Sequence, residues 1–299
     1  MENGKWKMEN RFKMNATPEA IRSVEQSKPV RWSLWLRQIR AIFRLEIRKN
    51  FFGKRSVLIY LLAFLPIFLL GSLALIMPAT EDFSNLSRIF AWIYGGLILR
   101  TVVFFGCAWI FMNLFRGEMV DRSLHYYFLS AVRRDVLVLG KYLSGLVTAV
   151  VLFVTVTVVS MLLLYLPHFS GESARFFFDG AGLSQLLTYA GITILACIGY
   201  GAFFLVVGLF FRNPIIPALV LYGWEAINFL LPPLLKKISV IHYLNSLTPV
   251  PAPEASPFGV MVEPTPAWIS VPGLLILTAL VLIAAGTRIR HMEIKYGSD

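Results

Sequence analysis

Phe115 to Leu143 reads FRGEMVDRSLHYYFLSAVRRDVLVLGKYL, a charged insert wedged between two long apolar runs. A membrane chain tolerates so polar a segment where it emerges into water. Its five basic residues (Arg116, Arg122, Arg133, Arg134 and Lys141) against three acids argue for the cytoplasmic side. It is the place where a soluble partner would grip.

The composition agrees with a bilayer. Of 299 residues 57% are hydrophobic and 14% aromatic, and the mean hydropathy of +0.68 is more apolar surface than a soluble domain can cover. The formal charge of +11 is spread in a way that argues against nucleic acid. Fourteen of the 28 Lys/Arg fall in residues 1–55, and most others flank apolar runs, the pattern of membrane orientation. Cys107 and Cys197 lie inside apolar runs and read as small core residues, with neither metal-ligand spacing nor a disulfide framework. The first apolar run begins only near Val57, after a long polar leader, which argues against a cleavable signal peptide.

Outward from the central insert, the chain predicts an all-α polytopic membrane protein. Residues 1–30 mix charge, Asn and Pro with little periodicity and read as a flexible cytoplasmic tail. Over residues 31–55, Arg37, Arg40, Arg44 and Arg48 share one helical stripe, with Trp35, Ile39, Ile42 and Phe43 opposite. That spacing predicts an amphipathic interfacial helix with its arginines toward anionic headgroups. Glu46 falls near the middle of its apolar face, so it either meets protein or a basic group, or reaches sideways to water. Six spans are expected over 57–77, 90–114, 143–166, 186–211, 217–235 and 271–289, within a transmembrane domain of 56–289. Pro66 predicts a kink in the first. The fifth is weakest, since it carries Glu225 and Asn228 and ends in Pro232-Pro233. With both termini inside, 23 Lys/Arg are cytoplasmic, four are outside, and Arg100 lies within a span. Residues 290–299 form a second cytoplasmic tail. The longest external connection is 236–270, whose first part has helical spacing suited to the outer leaflet and whose Pro-rich remainder should run extended.

No hydrolytic, redox or metal constellation is apparent. His125, His168, His242 and His291 are scattered over different loops and both sides of the membrane. Gly140-Lys141 resembles the end of a phosphate-binding loop, but Asp135 and Tyr142 occupy the places of its first Gly and its Ser/Thr, so no ATP site is expected in this chain. Arg100 and Glu225 are the ionisable residues within spans. Each should face the bundle interior or a wet cavity, as part of a substrate path or as a pair that fixes helix register. Gly95, Gly96, Gly191, Ala196, Gly199, Gly201 and Gly208 read as positions of close helix packing. No internal repeat is visible, which counts against an inverted-repeat transporter.

Within the central insert a short helix can run through Asp121–Leu129, and Ser130 to Arg134 breaks it. With Tyr126, Tyr127, Arg133 and Arg134 it would make a knob for a groove on a cytoplasmic protein; the plainer alternative is a loop whose arginines only set topology.

The run from Glu118 to Leu143 resembles the cytoplasmic loop of type-two permease subunits of ATP-binding-cassette (ABC) transporters. In that family a Glu after the second span precedes Gly-Thr-Leu, Leu-Leu-Ser-x-Pro-x-x-Arg and a Gly-Lys opening the third span. The chain matches at Glu118, Leu124, Leu129, Ser130, Arg133 or Arg134, Gly140 and Lys141. It departs where Arg122-Ser123 replaces Gly-Thr and Ala131 replaces Pro. The resemblance implies a non-catalytic subunit of the bacterial inner membrane, an exporter with Glu118, Arg122, Tyr126, Tyr127, Arg133 and Arg134 coupling it to a separate cytoplasmic ATPase. It also implies two permease and two ATPase subunits, with ATP and Mg held by the ATPases and none by this chain. Glu118, read as peripheral to the spans, would act in coupling rather than folding. A secondary transporter would instead need coupling ions, and a membrane-embedded enzyme a reactive cluster near one interface.

Overall fold

The computed structural model describes residues 32–53, 56–77, 83–120, 134–168, 177, 180–211, 213–227, 235, 238–250 and 266–290. Among them every regular element is helical. Helix α1 is Trp32–Phe52, and α2 is Ser56–Ile76 with Pro66 inside it. Helix α3, Phe83–Ile93, runs through a π-helical segment, Tyr94–Val103, into α4, Phe104–Val120. Then come α5 (Arg134–Tyr165), α6 (Ala181–Phe210), α7 (Ile215–Ala226), α8 (Val240–Asn245) and α9 (Ala267–Arg290).

Five of these stretches are long and apolar enough to cross a bilayer: Ser56–Ile76, Phe83–Met119, Val136–Tyr165, Ala181–Phe210 and Ala267–Ile289. The chain therefore has the build of a multi-pass helical membrane protein. The second is longer than the 90–114 expected from hydropathy, because Leu86, Ser87 and Phe90 are buried against the bundle and extend the helix backward. The third begins near Arg134 rather than Leu143 for the same reason, with Val136, Leu137 and Val138 buried. Of the expected fifth span, 217–235, the described residues include α7, a mostly apolar helix of 12 residues that reaches about 18 Å at 1.5 Å per residue, too short to cross alone, while 228–234 lie outside the described residues.

Helix α6 is the hub. It packs on α4, α5 and α9, and 72% of its most apolar window is buried. Close approach is possible where glycine removes the side chain: a Cβ at Gly208 would sit 2.9 Å from the Met112 backbone, and one at Gly201 would strike the Phe111 ring. Among the described residues nothing lies within 4 Å of a Cβ at Gly95, Gly96 or Gly191, so no close approach of these residues explains those glycines as the sequence suggested. Polar threads also cross between helices: Tyr94 Oη lies 3.1 Å from the Tyr189 carbonyl and 3.0 Å from Thr193 Oγ1, and Ser87 Oγ 2.9 Å from Tyr165 Oη.

The ends of the long helices gather at one face. Arg288 of α9 stands 5.2 Å over the Phe210 ring at the end of α6, while Lys141 of α5 reaches the Leu114 carbonyl of α4 at 2.9 Å. Helix α1 packs along α5 at that face.

Candidate functional site

At the base of the central insert, α1, α4 and α5 each bring a charge to one point. Glu46 comes from the buried stripe of α1, Glu118 from the last turn of α4 and Lys141 from the start of the apolar stretch of α5. The Lys141 ammonium donates to Glu46 Oε1 at 2.5 Å and to the Leu114 carbonyl at 2.9 Å, and pairs with Glu118 Oε1 at 2.7 Å. Those contacts match its three N–H donors, and the Phe115 ring lies 5.4 Å away. The side chains of Lys141, Glu46 and Glu118 are 0%, 1% and 2% exposed. Lys49, 45% exposed, adds a second cation 3.7 Å from Glu118. Two carboxylates thus face two ammoniums, and the buried cluster is close to neutral. That balance is what makes such burial affordable in free energy.

This arrangement ties rather than transforms. Every charge in it is spent on another charge of the same chain, and it holds the two ends of the insert, near 118 and 141, to α1. Glu46 therefore meets a basic group, the first of the two fates its sequence position allowed. Glu118 is not peripheral: it is 1% exposed and ion-paired. Lys141 was counted in the sequence only as a topology signal and a motif match. A lysine heading an apolar run does call for a partner, and that signal pointed to the carboxylates available nearby.

The insert itself lies outside the described residues over 121–133, so Arg122, Tyr126, Tyr127 and Arg133 have no described position, and Arg134 is described in its backbone alone. On α1, Trp35 is half-buried while Arg37, Arg40, Arg44 and Arg48 are exposed on the side away from Glu46.

The second polar site is deeper. Glu225, at the end of α7 and 5% exposed, accepts hydrogen bonds from Ser239 Oγ at 2.7 Å and from the Val240 and Ile241 amides at 3.0 Å each. Its carboxylate thereby caps α8 at the N-terminus, where unsatisfied N–H groups and the helix dipole favour a negative charge. Helix α8 was expected on the outer leaflet. Instead Val240, Ile241 and Leu244 are buried, and a Cβ at Gly199 would meet Val240 at 3.0 Å and Leu274 at 3.1 Å. Gly199 lies about 16 Å along α6 from Phe210, so α8 sits well inside the bundle. Backbone at such depth survives only where its polar groups are satisfied, and Glu225 does this.

Arg100 is half-buried within the π-helical segment, near enough for its charge to bear on Glu225 and Tyr200. No ion pair within 4.0 Å joins it to Glu225, whose hydrogen bonds go to α8. A ten-residue π-helix is rare, and such segments gather at functional sites. Hydropathy carries no sign of it. Among the described residues no group of three or more His, Cys, Asp or Glu could hold a metal ion, and Cys107 and Cys197 are free and buried.

No protein-family model, curated protein or solved structure matches the chain.

Proposed function

We propose that the chain is a permease subunit of an ABC transporter of the type-two kind, an exporter driven by ATP hydrolysed in a separate cytoplasmic ATPase. In this reading the bundle crosses the membrane six times, α7 and the residues after it making the fifth crossing. Both termini are cytoplasmic, α1 lies in the interface of a bacterial inner membrane, and two such subunits join two ATPases. Residues 121–133 are the coupling element.

The observation that supports it best is the Lys141 cluster. A knob that received a push from an ATPase would be useful only if its two ends were fixed to the parts that must move. Glu118 and Lys141 fix them to each other, and Glu46 fixes both to α1. Tight packing passes such displacement on because interiors are not compressible. Nucleotide-driven closure would then need only to favour one of two bundle arrangements over the other.

Co-expression of the full chain with candidate ABC ATPases from its own source tests the reading. A stable complex should form, and Arg133→Glu with Arg134→Glu should cut ATPase recovery about tenfold, the effect of about 1.4 kcal/mol, without changing membrane insertion. A reporter at Ser130 should be reached only from the cytoplasmic side. Transport that consumes an ion gradient with no ATPase bound would replace this reading with a secondary transporter.

A further inference from the structure

Three neighbouring cavities run from α1 into the lower part of the bundle, and their character changes along the way. The first, about 870 Å³, is bordered by Arg44, Arg48 and Lys49 of α1. It shares Lys49 and Gly53 with the second, about 220 Å³, to which Asn50 and Asn113 also contribute. The second shares Ile59 and Trp109 with the third, about 430 Å³, which is walled by α2, α4 and α7 through apolar side chains such as Leu58, Leu61 and Leu65. The apolar trough has a volume within the roughly 300–1,000 Å³ range of small-molecule sites.

We infer that this groove holds one anionic phospholipid, its phosphate at Arg44 and Arg48 and an acyl chain in the trough between α2, α4 and α7. Charge decides the headgroup. Glu46, which also lines the middle cavity, and Glu118 are turned to Lys141, and among the described residues the charges that border the mouth are cations. The side-chain amide of Asn50 is buried with no hydrogen-bond acceptor, and Asn50 lines the middle cavity where a glycerol or ester oxygen would lie. Shape decides the tail. Leu58 to Leu65 run about 10 Å along α2, and Leu58, Leu61, Leu65, Ile215 and Leu219 are all 45% exposed or more. Trough and basic mouth lie at the same face of the bundle, so one amphiphile in a single leaflet can reach both. The inference stands apart from the ABC reading, since it uses none of residues 121–133.

The full chain in mild detergent is offered equal amounts of phosphatidylglycerol and of diacylglycerol with the same acyl chains, and retained lipid is counted by native mass spectrometry. One phosphatidylglycerol per chain should be kept at least about tenfold over diacylglycerol, a preference that fades at high salt. Arg44→Gln with Arg48→Gln should reduce retention toward that of diacylglycerol, and Leu61→Trp, which fills the trough from an exposed position, should reduce retention of both. Equal retention of the two lipids, uptake of many without saturation, displacement by glycerol phosphate alone, or unchanged retention in both variants would each overturn the inference. If either variant fails to elute as folded protein, the headgroup preference of the unaltered chain and its salt dependence still decide the matter.

Discussion

Lys141 and Glu46 meet at 2.5 Å across 95 positions of sequence, and neither side chain reaches solvent. The contact fixes α1 to α5 of the bundle. It lies in the first turns of α5, so it ties the start of that helix to α1.

Lys141→Met leaves Glu46 and Glu118 buried with only Lys49 to balance them. Removing one partner of a buried pair costs about 3–5 kcal/mol, far more than an exposed pair contributes. Thermal unfolding in detergent should show a large loss for Lys141→Met, and adding Glu46→Gln should recover part of it. A coupling of about 0.5–3 kcal/mol between the two changes is expected. Strictly additive losses would mean that the two residues do not act as a pair.

Glu118→Ala should also destabilise, and that separates it from changes in the insert. Its carboxylate lies 2.7 Å from Lys141 and is buried, so any loss of ATPase association in this variant should come with a lower unfolding temperature. The Arg133 and Arg134 variants should lower association alone. Equal melting of Glu118→Ala and the unaltered chain would show that Lys49 or water replaces the lost contact.

The two polar sites differ in how far the sequence revealed them. The misplaced charge of Glu46 on an apolar stripe stood out, because period-3.6 patterning makes any exception visible, but the pattern left open whether it met a basic group or reached sideways to water. Glu225 stood out equally, but its partners are backbone amides of Val240 and Ile241, which no side-chain pattern encodes. The same holds for the π-helical turn at Tyr94–Val103, a backbone choice among residues that read as plain apolar helix. Hydropathy located the five membrane-length helices but placed the starts of the second and third about seven residues late, because Leu86, Ser87 and Phe90 and Val136 to Val138 are held by tertiary burial.

Glu225→Ala strips three donors of their acceptor at once. Each buried unsatisfied group costs about 1–3 kcal/mol, so α8 should loosen and the stretch 238–250 should become open to protease. Glu225→Gln keeps one acceptor oxygen and should fall between. Arg100→Glu with Glu225→Arg should not rescue either single change, because a guanidinium cannot accept from amide N–H groups. Full rescue by the swap would show that attraction between positions 100 and 225 governs the site.

Gly208 and Gly191 lie on the same helix, α6, and should answer substitution in opposite ways. At Gly208 an added Cβ would lie 2.9 Å from both the Cα and the carbonyl oxygen of Met112, where the neighbour is backbone and cannot turn aside. Gly208→Ala therefore has to push α6 away from α4, with an overpacking cost of about 1–3 kcal/mol, and Gly208→Leu should cost more. At Gly191 nothing among the described residues lies within 4 Å, so alanine adds no clash with them and restricts the unfolded backbone, a gain of up to about 1 kcal/mol. Unfolding temperatures in detergent should fall for Gly208→Ala and hold or rise for Gly191→Ala. A loss at Gly191 as large as at Gly208 would mean that its open side is covered by another chain in the assembled protein.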